Sequence, residues 1–184
     1  MQDALDEKIV TEKGLEGRDL LPEKILALQV ELGELANEWR GFKFWSENQK
    51  PNTFYPCLDC GGSGHNFIEN CKECDETGIG GNPMLEEFVD CLHFILSIGN
   101  GLKITPVSVM AVKGDHGLTS HILDLFEMVC LFRGGTHEDK EWKYKKLFKN
   151  FIGLGDMLGF TWEQIEQAYY DKNKVNHERQ QNGY

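Results

Sequence analysis

Residues 21–45 read LPEKILALQVELGELANEWRGFKFW and decide the fold of this chain. Their apolar residues recur at i, i+3, i+4 and i+7 spacing, which is typical of an amphipathic helix with one buried stripe. The stripe contains Ile25, Leu28, Leu32, Leu35 and Trp39. Proline is tolerated in a first helical turn, and glycine commonly follows a last one. We therefore predict a helix that begins near residues 19–22 and ends at about Arg40, before Gly41.

Two pairs of carboxylates lie along predicted helix faces. Glu31 and Glu34 are three residues apart on the first helix, and at 100° per residue they border its apolar stripe. Glu87 and Asp90 repeat this spacing in LEEFVDCLHFIL, within a second predicted helix over 84–99. A single acidic pair on a helix is usually solvated surface. Two pairs at the edges of apolar faces predict instead that helix packing brings the four carboxylates together.

Four neighbouring carboxylates repel one another and raise their own pKa values unless a divalent cation compensates their charge. Mg²⁺ fits this role, because it prefers oxygen ligands and shares its coordination between carboxylates and substrate phosphates. Two ions about 4 Å apart can stabilise both the attacking and the leaving oxygen of a displacement. We therefore predict a site for two or more Mg²⁺ ions. Glu38 lies on the same arc as the first pair and has no assigned role.

The rest of the chain has helical rather than strand periodicity. The further predicted helices cover residues 2–13, 119–132, 138–158 and a segment that begins after Thr161. Thr161 and Gln164 have the spacing of a capping box, in which each residue satisfies a backbone N–H of the first turn. No stretch outside residues 52–82 shows convincing period-2 alternation. The predicted fold class is all-α, with one domain over 1–184 that carries an insert over 52–82.

Composition limits the possible partners. The 184 residues are 40% hydrophobic, which is enough for one core. Nineteen basic and thirty acidic residues give a formal net charge of −11, which argues against nucleic acid as a partner because binding to its backbone needs a cationic surface. The first residues, MQDALDEKIV, have no signal-peptide pattern, and no apolar run reaches the roughly 18 residues of a membrane span. We expect a cytoplasmic protein.

The C-terminal helix carries a polar stripe at helical spacing. Lys172, Asn176 and Arg179 follow i, i+4, i+7 spacing and continue the apolar arc of the same helix. One interpretation is a phosphate-binding face, with a planar guanidinium, a point charge and a neutral donor. The alternative is a charged helix end whose basic groups complement the helix dipole.

The insert over 52–82 contains two CxxC pairs separated by ten residues. The pairs are Cys57 with Cys60 and Cys71 with Cys74. Paired CxxC turns predict a tetrahedral zinc site with one structural Zn²⁺ per chain, and four thiolates leave no open position for catalysis. Redox dithiols or free thiols are the alternatives. The insert could also meet a partner protein. Cys91 and Cys130 lie among apolar residues, and we expect both to be buried.

Three segments carry a resemblance to a known family. They are ELGELANEWRGFKFW (31–45), EEFVDCLHFILSIG (86–99) and YYDKNKVNHERQQNGY (169–184). Together they resemble the dimeric all-α dUTPases of the MazG-like nucleoside triphosphate pyrophosphatase superfamily, which carry an ExxE…ExxD pattern. The resemblance implies a MazG-like helical bundle, a homodimer, and hydrolysis of dUTP and dUDP to dUMP by a metal-activated water. A phage origin fits this family. The glycine pattern of the insert resembles half of the cysteine-rich region of DnaJ-type chaperones.

The resemblance also implies roles for single residues. The four predicted magnesium ligands are Glu31, Glu34, Glu87 and Asp90. Glu34 takes the proton of the attacking water, and Lys172, Asn176 and Arg179 contact phosphates. The candidates for base binding are Gln2, Trp45, His93 and Phe94.

Each of these assignments has a structural alternative that needs no ligand, or an alternative function. Aromatic residues beside apolar helix faces are usually packed in the core, which favours a packing role for Trp45 and Phe94. His93 projects away from the main apolar face, so surface exposure competes with substrate contact. A related pyrophosphatase for dCTP or a modified base, and a non-catalytic module that binds a protein through its zinc insert, are the alternative functions.

Overall fold

A computed structural model describes residues 1–66, 69–104 and 110–183, and its regular structure is mostly helical. Six α-helices occur within those residues: α1 (Gln2–Glu12), α2 (Leu21–Trp39), α3 (Pro83–Gly101), α4 (Gly117–Cys130), α5 (His137–Leu158) and α6 (Trp162–Gln181). A short 3-10 helix (Leu131–Arg133) follows α4. The predicted all-α fold class is confirmed. Tyr184, the last residue of the C-terminal motif, lies outside the described residues.

Helices α2 and α3 form an antiparallel pair at the centre of the fold. The Lys24 side chain, early in α2, donates a hydrogen bond to the backbone oxygen of Ser97, late in α3 (3.0 Å). At the other end, backbone bonds through Asn52 join Glu38 to Met84. The predicted apolar stripes of both helices are buried in one core. Since the carboxylate pairs border these stripes, the packing of the stripes places the pairs beside each other.

The remaining helices cover this pair on two sides. Helices α4 and α5 pack together, with α4 also against α2, while α1 and α6 lie against α3 and against each other. Phe88 on α3 is fully buried, stacks on Phe151 of α5 (centroids 4.3 Å apart) and meets Phe160 edge-on (5.5 Å). These contacts form one continuous core on the α5 side of α3. The cavity described below lies on the opposite side, between α3, α1 and α6.

The helix ends follow from local residue chemistry. Thr161 and Gln164 form the predicted capping box, with each side chain bonded to the other residue's backbone N–H (3.3 and 2.9 Å). Helix α2 ends one residue earlier than predicted, because Arg40 caps it in the left-handed conformation (φ 63°). Gly41 follows, and a Cβ at this position would collide with the indole ring of Trp39.

The insert contains the only strands in the described part of the chain. Strand β1 (Tyr55–Pro56) pairs antiparallel with β4 (Ile79–Gly81), and β2 (His65–Asn66) pairs with β3 (Glu69–Asn70). The β1–β4 pair forms a stalk between the helices and the cysteine cluster. The division of the chain into a helical domain and an insert over 52–82 stays a prediction.

Two expectations about burial are wrong. Cys91 is fully buried as predicted, but Cys130 is exposed, because it faces outward at the end of α4, where the Gln29 amide donates to its sulfur (3.1 Å). Trp45 is 65% exposed rather than packed in the core. It lies in the loop after the left-handed turn at Arg40, with its ring edge-on to Phe44 (5.1 Å).

None of the helices within the described ranges combines the length and the apolar character that a membrane span requires.

Candidate active site

Three of the four predicted magnesium ligands meet across the α2–α3 interface. Carboxylate oxygens of Glu31, Glu87 and Asp90 all lie within 4.8 Å of one another. All three residues are half-buried, because they lie at the edges of the two apolar stripes. Glu34 is exposed and lies outside this group. We call Glu31, Glu87 and Asp90 the carboxylate triad.

The triad is electrostatically strained without a cation. Burial raises the pKa of Glu31 to about 7, and the negative charges of Asp90 and Glu34 add to this effect. The pKa of Glu87 is likewise raised to about 7, first by burial and then by the same two neighbours and Glu31. Glu34 is therefore close enough to act on the triad through its charge.

The donor set of the triad suits a divalent metal. Glu87 Oε2 is buried and has no hydrogen-bond partner among the residues that the structure describes. A buried acceptor without a partner is costly, and a bound cation would satisfy it. All donors are carboxylate oxygens, the ligand type that Mg²⁺ prefers. The residues present therefore fit the predicted magnesium site.

The polar stripe of α6 borders the same site. The Lys172 ammonium contacts Asp90 Oδ2 at 2.5 Å. Burial raises the pKa of Asp90, while the hydrogen bond and charge of Lys172 oppose the increase, and the charge of Arg179 acts in the same direction as Lys172. Helix α6 stays regular to Gln181, so this stripe is part of a folded helix.

A cavity of about 590 Å³ joins the triad to helix α1. Its lining includes Glu31 and Asp90 from the triad, and Lys172, Asn176 and Arg179 from α6. Three of the four base-binding candidates also line it: Gln2, His93 and Phe94. The fourth, Trp45, does not line this cavity. The folded chain thus brings Gln2 and Arg179, which are 177 positions apart in the sequence, to the same cavity.

Gln2 and His93 form a buried polar pair at the α1 end of the cavity. The amide nitrogen of Gln2 donates to Asp6 (2.8 Å), which leaves its Oε1 to accept a bond from His93 Nδ1 (2.6 Å). His93 Nδ1 must therefore carry the proton, and Nε2 is an acceptor. His93 is only 5% exposed, so the alternative of a surface residue is wrong.

The environment keeps His93 neutral. Burial lowers its pKa to about 4, and the positive charge of Lys172 contributes. Its ring stacks on Tyr169 of α6 (centroids 4.4 Å apart). Nε2 is buried and finds no partner within the described residues. A neutral, fixed imidazole thus presents an unused acceptor beside the cavity.

Sequence reasoning missed the residue that organises this end of the cavity. Asp6 accepts hydrogen bonds from Gln2, from Ser97 Oγ (2.9 Å) and from Asn100 Nδ2 (3.2 Å), and the Lys24 ammonium lies 3.9 Å away. A signal existed, since His93, Ser97 and Asn100 form a polar i, i+4, i+7 row on α3. Gln2 and Asp6 form the matching i, i+4 pair on α1.

The four cysteines of the insert form a second constellation. The sulfurs of Cys57 and Cys71 are 3.9 Å apart, and those of Cys60 and Cys74 are 3.8 Å apart. A tetrahedral centre with Zn–S bonds of about 2.3 Å separates its sulfurs by about 3.8 Å. All four sulfurs lie within 4.8 Å of one another. The spacing therefore fits one tetrahedral zinc ion.

Each knuckle ends in a glycine that supports a cysteine sulfur. The backbone N–H groups of Gly64 and Gly78 donate to Cys60 and Cys74, both at 3.3 Å. Both glycines have positive φ (76° and 72°), a conformation that other residues rarely adopt. Burial acts against ionisation of Cys60, but bonds from backbone N–H groups lower its pKa to about 6. A thiolate at this position is the form that binds a metal.

We predict that the Mg²⁺-free protein loses stability as pH rises from about 4.5 to about 7. The pKa values of Glu31 and Glu87 are raised from 4.5 to about 7 on folding. Folded chains then bind these protons more tightly than unfolded ones, so the stabilisation is complete below pH 4.5 and lost as pH passes 7. Calorimetry without added Mg²⁺ should show Tm falling through this window relative to a Glu31→Gln, Glu87→Gln variant. If the Tm values of the wild type and the variant change in parallel across this pH range, Glu31 and Glu87 are not the cause of the pH dependence.

Comparison with known proteins agrees with this geometry. A family model described as dUTPase matches residues 1–55 and 76–184. The matched ranges contain the triad, the α6 stripe and the Gln2–His93 pair, whereas all four clustered cysteines fall between them. No curated protein and no solved structure gives a significant match. Because the family match covers most of the chain, the protein belongs to the dUTPase family and is a hydrolase of nucleoside triphosphates.

Proposed function

We propose that this dUTPase converts dUTP, and also dUDP, to dUMP with Mg²⁺ bound at the carboxylate triad. The supporting observation is the single cavity that joins three chemically different groups: carboxylates, a cationic stripe and a buried acceptor for a base. These groups match the two ends of a nucleotide: the carboxylates, through a metal ion, and the cationic stripe suit its phosphates, and the buried acceptor suits its base.

The metal end of the cavity would hold the ion through Glu31, Glu87 and Asp90. Bound Mg²⁺ supplies positive charge that screens the phosphates and makes a coordinated water more acidic. Without this charge, a substrate with several negative phosphates would be repelled by the triad. Lys172 and Arg179 add positive charge on the α6 side of the cavity, and Asn176 adds a neutral donor.

Glu34 is proposed as the general base. It lies one turn from Glu31 on α2, is exposed, and is close enough for its charge to act on the triad. A carboxylate next to the ligands, rather than among them, can accept a proton from a water at the rim of the site. That Glu34 is also a metal ligand stays a prediction.

The acceptor of His93 supports uracil over cytosine. Uracil carries a hydrogen on ring atom N3, whereas cytosine has a lone pair there. His93 Nε2 can accept a hydrogen bond from the N3–H of uracil. With cytosine, two acceptors, His93 Nε2 and cytosine N3, would face each other, and a buried polar atom would remain unpaired. Phe94 offers an apolar surface at the same cavity. These residues are therefore proposed to bind the base.

We predict that the purified protein with Mg²⁺ hydrolyses dUTP at least ~100-fold more efficiently than dCTP, because unpaired buried polar groups penalise the wrong substrate strongly. Steady-state kcat/KM on a panel of dUTP, dUDP, dCTP and dTTP measures this. His93→Phe keeps a ring against Tyr169 and removes the acceptor, so it should reduce the dUTP:dCTP ratio. Equal turnover of dCTP by the wild type would support the alternative nucleotide pyrophosphatase instead.

We predict that Glu34→Gln lowers kcat for dUTP by roughly 10²–10⁴-fold, the usual contribution of a general base. Circular dichroism should show the wild-type fold, because Glu34 is exposed. Glu163→Gln, an exposed change on α6 far from the triad in sequence, is the matched control and should be neutral. The non-catalytic alternative requires that Glu34→Gln leave every activity unchanged.

The insert is proposed to hold one structural Zn²⁺ per chain. Its four sulfurs close the coordination shell, which leaves no site for a substrate. Its outer surface carries Leu58, which is 92% exposed, and a protein partner at this surface is part of the proposal.

We predict that metal analysis of the purified protein finds about one zinc per chain. The change Cys57→Ser with Cys60→Ser removes half of the ligands and should abolish stoichiometric zinc. Cys130→Ser, outside the cluster and exposed, is the control and should retain it. Full zinc occupancy in the double variant would show that these sulfurs are not the ligands.

A homodimer is also proposed, on the evidence of an exposed apolar face. Leu26 and Val30 of α2 are 63% and 50% exposed, and Leu123 of α4 is 59% exposed. The Gln29–Cys130 hydrogen bond places these two helices side by side. Sedimentation should therefore give twice the chain mass of 21.0 kDa. A monomer at micromolar concentration would exclude this assembly.

A further inference from the structure

We propose that Asn52, the first residue of the insert, is a positioning residue for the carboxylate triad and acts through Glu38. Three hydrogen bonds carry this proposal. The Asn52 backbone N–H donates to the Glu38 backbone oxygen (2.9 Å), and its side-chain amide donates to Glu38 Oε2 (2.7 Å). The backbone N–H of Met84 donates to the Asn52 backbone oxygen (3.2 Å). Asn52 therefore joins the end of α2 to the start of α3.

The joined points lie next to the metal ligands. Glu38 is four residues, about one helical turn, beyond Glu34 on the same face of α2. Met84 is three residues before Glu87 on α3. The triad residue Glu31 lies seven residues, about two turns, before Glu38, so Asn52 fixes the separation of the two helices within about two turns of the triad.

Such a link is needed because the triad opposes its own assembly. Carboxylate oxygens of Glu31 on α2 and of Glu87 and Asp90 on α3 lie within 4.8 Å of one another, so their like charges repel across the helix interface. The apolar stripes hold the helices together along their length. Asn52 adds a directional bond to a charged group at the end where the insert enters, and such bonds are stronger than neutral ones.

The bond to Asn52 also gives a role to Glu38, which lies on the same arc of α2 as Glu31 and Glu34 and had no assigned function. Its carboxylate is bound to the Asn52 amide and is absent from the triad. An amide is well suited to this position, since an aspartate of the same shape would place a second negative charge against Glu38.

The insert stalk supports the same corner of the fold. Tyr55 of β1 donates from its hydroxyl to Glu86 Oε1 on α3 (3.0 Å), beside the triad residue Glu87. The Tyr55 ring lies against β4, where a Cβ on Gly80 would come within 2.6 Å of it. The stalk is therefore anchored to α3 through Tyr55, which follows Asn52 by three residues.

The experiment compares Asn52→Asp with the wild type in two independent measurements. Mn²⁺ binding, followed by electron paramagnetic resonance, reports on the triad without any reaction. The Mg²⁺ dependence of dUTP hydrolysis reports on the working enzyme. We expect Asn52→Asp to weaken Mn²⁺ binding by roughly 10–100-fold, as loss of partners outside the ligand sphere commonly does, and to raise the Mg²⁺ concentration needed for activity.

Three further variants separate positioning from general destabilisation. Asn52→Asp combined with Glu38→Gln reverses the pair, because the new amide donates to the new carboxylate, and should restore most of the Mn²⁺ affinity. Asn37→Asp adds the same charge at an exposed position one residue from Glu38 and should have little effect. Asn52→Ser keeps the backbone bonds and removes the amide, so it provides the comparison if Asn52→Asp does not fold.

The outcomes distinguish this proposal from the proposed function, on which it rests. Wild-type Mn²⁺ affinity in a folded Asn52→Asp protein, or no recovery in the reversed pair, would overturn the positioning role while dUTP hydrolysis stands. A wild type that binds Mn²⁺ but does not hydrolyse dUTP would remove the proposed function, and the Mn²⁺ series would still decide the role of Asn52. A change in Tm alone, with unchanged metal affinity, would show that Asn52 is only structural.

Discussion

The repulsion among half-buried carboxylates at the α2–α3 interface is the constraint on which the rest of the structure depends. Packing of two apolar stripes forces Glu31, Glu87 and Asp90 together, and burial raises the cost of their charge. The fold offsets this cost in three ways: hydrophobic burial along both helices, the ammonium of Lys172 beside Asp90, and a donor set that a divalent ion can satisfy. A divalent cation at these residues, as proposed, would relieve this cost.

The other end of the cavity follows the opposite principle. There the polar groups are neutral or paired, and each bond fixes the role of the next. Asp6 can only accept, so the Gln2 amide nitrogen faces it; Gln2 Oε1 then requires a proton on His93 Nδ1. This chain of constraints leaves one acceptor, Nε2, without a partner among the described residues. Specificity for a base can arise from such a group because its position and its hydrogen-bonding character are both determined before a ligand binds.

The cysteine knuckles lie outside the residues that the family model matches. The match stops at residue 55 and resumes at residue 76, and all four clustered cysteines lie between these positions. The two ends of the insert lie where α2 ends and α3 begins. A connection of this length leaves the helix pair intact, since it extends outward on a two-stranded stalk. Hydrogen bonds from Asn52 and Tyr55 give its base a definite orientation on the helices.

Local patterns in the sequence determined the helices, the capping box at Thr161, the CxxC turns and the acidic pairs, because each depends on residues within a few positions of one another. The family motifs added the dUTPase assignment. Only the tertiary structure decided which polar residues meet. Burial of His93, the Asp6 network and the Asn52–Glu38 bond join segments that are far apart in the chain. The exposure of Trp45 and Cys130 likewise depends on where whole helices and loops lie. Helical periodicity shows that a residue borders an apolar stripe, but its partner across the interface depends on how the helices pack.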